Sequence, residues 1–517
     1  MNIKQAKQEI ANTLKAYLAK DDMGNYLIPP IRQRPVLLMG PPGVGKTQIM
    51  EQVAAENGVG LVSYTITHHT RQSAVGLPFI EKRVYGGQEY SVTEYTMSEI
   101  LSSVYRLMER TGLREGILFL DEINCVSETL APMMLQFLQC KTFGNQRLPE
   151  GWLIAAAGNP PEYNRSVRDF DVVTLDRVRR MDIREDFAVW KEYARAKGLH
   201  GAVVSYLDIK KENFYRMENT AEGLRFATAR GWEDLSELIF AYEKLGVRVD
   251  REVVGQYIQL PRIARDFAGY LELYNKYRKT YHVDNILQGV WQPVTVSELR
   301  AAPFDEKLSV MGLLLSRLSE SAKNVRRQDR LTEALHAALI EFRDALPTEP
   351  DILPCLIQEH RTALKRAKEA GHLDREELNH RQQVVNTLED YRQRLIHDGT
   401  DAPEEAMEAV RNWFGGEADK RALLGELTGR QLDNAFRFLE ETFGQGQELV
   451  IFVTELTAGP DTSWFVEEFG CDAYFRHNQE LLFDDTRRRL QEEISAAKAA
   501  AREAAATSEE PGRTDKS

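Results

Sequence analysis

Gly40-Pro41-Pro42-Gly43-Val44-Gly45-Lys46-Thr47 follows directly on the apolar run Val36-Leu37-Leu38-Met39. The spacing is that of a phosphate-binding loop set between a strand and a helix. Its glycines allow backbone N–H groups to curl around phosphate oxygens, and the helix that starts at Lys46 adds the positive end of its dipole. Lys46 supplies a point charge for the β- and γ-phosphates, and Thr47 supplies a hydroxyl for Mg²⁺. These residues imply that a nucleoside triphosphate is bound with Mg²⁺, and they do not separate ATP from GTP. They do not say what its hydrolysis drives.

Four further clusters carry polar chemistry. Ile117-Leu118-Phe119-Leu120 precedes Asp121-Glu122, so two acids stand at the carboxyl end of a buried strand, the edge where open parallel sheets bind ligands. Asp121 suits Mg²⁺, in part through water, and Glu122 suits the general base that polarises the attacking water. Leu153-Ile154-Ala155-Ala156-Ala157-Gly158 is a second apolar run, ending in Asn159, whose amide can bond both the γ-phosphate and that water. Thr174-Leu175-Asp176-Arg177-Val178-Arg179-Arg180 offers an arginine to stabilise transition-state charge from a neighbouring subunit. Arg177 is the first choice, with Arg179 and Arg168 as alternatives. Finally, Thr228 reads as a helix N-cap, which places Arg230 in a first turn from which it can reach the γ-phosphate of its own chain.

These side chains need a scaffold. Short apolar runs at 35–39, 60–66, 117–120, 153–157 and 181–183 alternate with helical stretches, the pattern of a parallel α/β sheet. Between the second and third runs, Val84-Tyr85-Gly86-Gly87-Gln88-Glu89-Tyr90 reads as a β-hairpin. From about Phe187 the chain reads as helical. Leu331, Leu335, Leu339 and Phe342 form one stripe at helical spacing, and Val384, Leu388, Tyr391 and Leu395 form another. Thr348–Asp351 and Asp398–Asp401 read as connections. The segment 449–456 has strand-like composition but helical neighbours, and helix is expected.

With 517 residues the chain is too long for a single core. Its 66 basic against 79 acidic residues, a net charge of −13, argue against nucleic acid as a partner, since phosphate contacts need a basic footprint. No run of apolar residues is long enough to span a membrane, so no membrane insertion is expected. Cys125, Cys140, Cys355 and Cys471 are scattered without ligand or disulfide spacing, which points to a reducing, cytoplasmic compartment. The adjacent His68 and His69 make poor co-ligands, and Tyr85, Tyr90 and Tyr95 are read first as core or hairpin packing.

In order and spacing, the loop, the Asp-Glu strand end, the Asn sensor, Leu-Asp-Arg and Thr-Ala-Arg resemble the AAA+ ATPases, and within them the MoxR-like group. The resemblance covers about residues 1–290. It implies a five-stranded sheet of order 5-1-4-3-2, a helical lid bearing Arg230, and hexameric rings with nucleotide between subunits. It also implies ATP as the nucleotide and remodelling, assembly or metal loading of a protein partner, often one with a von Willebrand factor A domain. The expected division is a nucleotide-binding domain at 1–190 with a β-hairpin insertion near 76–96, a lid at 191–295, a helical C-terminal region at 296–494 and a tail at 495–517. Similar proteins usually read Leu-Asp-Arg-Phe and Ser-Pro-Arg where this chain has Val178 and Ala229. Two rival readings are a nucleic-acid motor, which the charge disfavours, and a nucleotide-dependent scaffold, which has no need of Glu122. The segment Tyr26-Leu27-Ile28-Pro29 is expected to wall the base pocket.

Overall fold

A computed structural model describes residues 1–479 apart from 69–71, 73, 75, 144–145, 164–166, 168–169, 221–222, 347–351, 371–374 and 400–401. Arg168, His69, the connection expected at 348–351, residues 400–401 and the tail expected from 495 lie outside the described residues.

Five parallel strands form the central sheet: β1 (Val36–Met39), β2 (Gly60–Thr65), β5 (Gly116–Asp121), β8 (Trp152–Gly158) and β9 (Arg179–Asp182), ordered β2-β5-β8-β1-β9. Counted along the chain this is 2-3-4-1-5, the expected order read from the other side. The central strands read as unbroken apolar runs because helices cover both faces. Alternation sorts them: Leu37, Leu118, Leu120, Ile154 and Ala156 enter one core, while Val36, Leu38, Ile117, Phe119, Leu153 and Ala155 enter the other. The second core is closed by the helices Ile3–Leu18 and Lys46–Asn57 through Ile10, Leu14, Ile49 and Val53. The first is closed by Glu99–Thr111 and Ala131–Cys140 through Leu101, Val104, Met134 and Phe137.

Between β2 and the helix Glu99–Thr111 stands an antiparallel hairpin, β3 (Pro78–Tyr85) with β4 (Gln88–Tyr95). Its tyrosines are not core: Tyr85 and Tyr90 are about half exposed and lean on each other at 6.1 Å. A short pair, β6 (Thr142–Phe143) and β7 (Gln146–Arg147), follows the helix Ala131–Cys140.

The chain from Phe187 is not purely helical. A second hairpin, β10 (Arg216–Thr220) with β11 (Gly223–Ala227), interrupts the helices Phe187–Lys197, Gly201–Ile209 and Ala229–Leu245. Its strands, Arg-Met-Glu-Asn-Thr and Gly-Leu-Arg-Phe-Ala, lack the alternation that marks a half-buried strand, because the hairpin is largely exposed. Trp232 anchors its root, donating from Nε1 to the carbonyls of Asn213 and Phe214 at 3.2 and 3.1 Å.

The chain forms two compact units. Among the described residues, the first joins 1–269 to 327–419 and the second joins 270–326 to 420–479. The two predicted stripes meet in a single core of the first unit, where Leu331, Leu335, Leu339 and Phe342 pack with Val384, Leu388 and Tyr391. The second unit is helical. Phe436 packs edge-on to Phe452 at 5.4 Å, and Arg300 donates to the carbonyl of Thr442 at 2.9 Å. Gln447–Ala458 is a helix, as expected from its neighbours. Among the described residues no helix is long and apolar enough to cross a membrane, and no group of three or more His, Cys, Asp or Glu is placed to hold a metal.

Lys141 caps the helix Ala131–Cys140 at φ +58° and is buried, donating to Gln33 Oε1 at 3.3 Å. Burial alone pushes its pKa down to about 8. Above that pH the buried amine loses a proton that the unfolded chain keeps until about 10.4, so unfolding takes up a proton and stability rises with pH across this window. Lys141→Met is expected to flatten that rise by up to about 1.4 kcal/mol per pH unit. Urea unfolding of parent and variant at pH 8 and pH 10 checks it; equal slopes would contradict it.

Candidate nucleotide site

β1, β5 and β8 are neighbours and parallel, so the loops that leave their carboxyl ends emerge side by side. This adjacency gathers residues far apart in sequence. The phosphate loop leaves β1, Asp121-Glu122 ends β5, and Asn159 follows β8.

Lys46 lies in the first turn of its helix and is buried. Its ammonium donates to the carbonyls of Gly40 (2.7 Å) and Pro41 (2.9 Å) and to Asn159 Oδ1 (2.9 Å). Burial pulls its pKa down to about 8, with Asp121 and Glu122 opposing the fall and Arg230 adding to it. Thr47 Oγ1 donates to Asp121 Oδ2 at 3.0 Å, which sets a hydroxyl beside a carboxylate. That is a hard-oxygen donor pair suited to Mg²⁺.

Glu122 is one of three described non-glycine residues at positive φ (+57°). Side chains disfavour this region, and such strain gathers at functional positions. The local hydrogen bonds impose it. Asp121 Oδ1 accepts the Glu122 N–H at 2.9 Å, the Ile123 N–H returns to the carbonyl of Ala157 at 2.9 Å, and Cys125 N–H closes a turn on Glu122 O at 2.9 Å. The turn leaves the Glu122 carboxylate accepting from Thr67 Oγ1 at 2.9 Å.

Asn159 is held through its backbone by Asn124, which is buried. Asn124 Nδ2 donates to Asn159 O at 2.8 Å and Asn124 Oδ1 accepts from Asn159 N at 3.3 Å. Gly158 makes room for this clasp, since a Cβ there would stand 2.6 Å from Asn124 Oδ1.

Gly43, at φ +74°, packs against the start of the helix Ala229–Leu245: a Cβ on it would lie 3.4 Å from Arg230 Cβ and from Thr228. Thr228 is the N-cap of the helix Ala229–Leu245, its Oγ1 accepting from Gly231 N at 3.2 Å. Arg230 is therefore carried to the phosphate loop of its own chain. Arg177 is not. It ends the helix Val172–Arg177, is exposed, and donates to Gln139. Arg179 is engaged within its own chain by Glu9 and Thr13.

Of the segment expected to wall the base pocket, Tyr26 stands by the amino ends of β5 and β8. Its hydroxyl lies 3.0 Å from where a Gly151 Cβ would be, close to Arg114 and Glu115 where β5 and β8 begin. A segment that enters β1 arrives at that strand's amino end, and four residues at about 3.3 Å each separate it from the phosphate loop. Beside Gly45 stand Gln48 and Ile3 instead, 3.4 and 3.9 Å from its ideal Cβ.

Residues 36–175 match the family model described as the ATPase family associated with various cellular activities (AAA). The chain carries an AAA ATPase domain. The matched span holds the phosphate loop, Asp121, Glu122 and Asn159, while Arg177 and Arg230 lie beyond it. No curated protein matches the chain. Among solved structures, one described as a putative ATPase from Cytophaga hutchinsonii is 17% identical with a TM-score of 0.24, matched over 38% of this chain and 55% of its own. C. elegans PCH-2 is 14% identical with a TM-score of 0.24, matched over 40% of this chain and 48% of its own. The chain thus spans about half the length of these structures.

Asn124 and Thr67 were not singled out in the sequence as site residues. Asn124 had a visible signal, since it stands three residues after Asp121 in the same polar strand end. Thr67 had none, because only the pairing of β2 with β5 brings it to Glu122.

Proposed function

We propose that the chain is a MoxR-like AAA+ ATPase that couples ATP hydrolysis to remodelling, assembly or metal loading of a protein partner. The observation that carries the reading is the convergence of Lys46, Thr47, Asp121, Glu122 and Asn159 on one edge of the sheet, with Arg230 brought to the same loop. The N–H groups from Gly43 to Thr47 cradle the phosphates, and Lys46 pairs with the β- and γ-phosphates. Thr47 and Asp121 would hold Mg²⁺, which would supply positive charge against the phosphates. Glu122 draws the proton from the attacking water, and Asn159 orients that water against the γ-phosphate.

Arg177 is exposed and lies off its own phosphate loop, which supports its acting on the nucleotide of a neighbouring subunit in a hexameric ring. In this reading residues 1–190 and 191–295 are the nucleotide-binding domain and its lid, and the helical region from 296 docks the partner. The exposed β3–β4 hairpin supports the MoxR-like assignment. A partner with a von Willebrand factor A domain rests on the resemblance of the motifs. The test is steady-state ATP hydrolysis with Mg²⁺. The parent is expected to turn over and Lys46→Ala to fall to background. Mixing inactive Lys46→Ala with inactive Arg177→Ala subunits is expected to restore part of the activity, because one subunit lends the arginine and the other the pocket. A parent without turnover would overturn the function, and mixtures that stay inactive would remove Arg177 from its role.

A further inference from the structure

Tyr215 lies at the root of the β10–β11 hairpin, between Phe214, which packs on Phe187 and Trp190, and the first residue of β10. Its hydroxyl donates to the carbonyl of Pro42 at 2.8 Å. Burial, with Tyr163 and Glu185 nearby, pushes the phenol's pKa upward, so it remains a donor at ordinary pH. The contact has a consequence in peptide geometry. Pro41 and Pro42 have no N–H, so Gly43 carries the first donor inside the loop. In a trans peptide the C=O and the N–H point in opposite directions. A hydroxyl that holds the Pro42 carbonyl on the lid side therefore turns the Gly43 N–H the other way, into the hollow of the loop.

The neighbouring carbonyls are already taken, those of Gly40 and Pro41 by Lys46. Pro42 is left to the lid. On its other flank Gly43 meets Thr228 and Arg230, which follow β11. Both feet of the hairpin thus grip the same peptide.

We infer that Tyr215 is a positioning residue that sets the Pro42–Gly43 peptide so that the Gly43 N–H faces the β-phosphate of the bound nucleotide. The assignment deepens the proposed function and rests on it. Removing the hydroxyl frees that peptide to rotate and takes one preorganised donor from the phosphate site. Tyr215→Phe in the full chain is expected to weaken ADP binding about fivefold, the worth of one hydrogen bond. Tyr206→Phe is the control. It removes another hydroxyl of the same region, one that donates to Asp266 at 2.8 Å and accepts from Asn213 at 2.8 Å. It is expected to lower the melting temperature at least as much as Tyr215→Phe while leaving ADP affinity unchanged. ADP affinity is read by isothermal titration calorimetry, with melting curves of the nucleotide-free proteins alongside. A parent that binds no ADP would overturn the nucleotide-binding function itself. A parent that binds ADP, with Tyr215→Phe equal to it or with Tyr206→Phe weakened as much, would overturn the assignment of Tyr215 alone.

Discussion

Glu122→Gln is expected to lower kcat for ATP hydrolysis by about 10²- to 10⁴-fold, the range for loss of a general base, while leaving ATP affinity within about threefold of the parent. The variant isolates the proton-accepting role for a structural reason. Gln has the shape of Glu, so the backbone at φ +57° keeps its conformation, and the hydrogen bonds that set the turn are all backbone or Asp121 contacts. Thr67 Oγ1 still finds a carbonyl oxygen to donate to. What is lost is the capacity to take a proton from water. Single-turnover hydrolysis and equilibrium binding of ATP, measured on the same preparation, separate the two. A Glu122→Gln protein with kcat within a factor of three of the parent would show that another group is the base. The nearest carboxylate, Asp121, is already accepting from Thr47 and from the Glu122 N–H.

Asn124→Ala is expected to lower both stability and turnover, although Asn124 touches no group assigned to the chemistry except through Asn159. Its amide fills both the N–H and the C=O of Asn159. Alanine strips both at once, and leaving such groups unpaired costs about 1–3 kcal/mol each where water cannot replace the partner. The expected loss of stability is about 2 kcal/mol. Because the side chain of Asn159 is placed by this clasp, a shift of about 1 Å at the sensor is expected to lower kcat by roughly 10- to 100-fold. ADP affinity should change little, since Lys46, Thr47 and the loop N–H groups are untouched. Steady-state kinetics at saturating ATP, with urea unfolding of the same variant, check both halves. A stability loss without a fall in kcat would mean that Asn159 is held well enough by β8 alone.

Much of the site was legible because it is written in contiguous residues. Gly40–Thr47 dictates a loop wherever it occurs, since glycine backbone freedom, a lysine and a hydroxyl at fixed offsets have few other uses. Asp121-Glu122 and Asn159 were legible because an apolar run that stops at a polar residue is a buried strand reaching the sheet edge. The alternation that puts Leu118 and Phe119 into different cores is also a local property. The β10–β11 hairpin was not legible. Exposed strands carry no apolar face, and exposure is decided by what the rest of the chain fails to cover.

By itself, then, the sequence determined the residue types of the phosphate site, the strands that end in them and the two helical stripes of the 331–395 core, because each is set by spacing of less than about one turn or one strand. Only the tertiary structure decided which of these stand together. Strand order is a property of long-range pairing, and it brings Thr67 to Glu122 and Asn124 to Asn159, while the packing of the helix Ala229–Leu245 brings Thr228 and Arg230 to Gly43. Tertiary packing also sets Tyr26 by the amino ends of β5 and β8 and brings Tyr215, 173 positions along the chain, to the carbonyl of Pro42. Spacing in sequence cannot report such contacts, since they depend on how the β10–β11 hairpin and the helix Ala229–Leu245 pack on the sheet rather than on any local preference of the residues that meet.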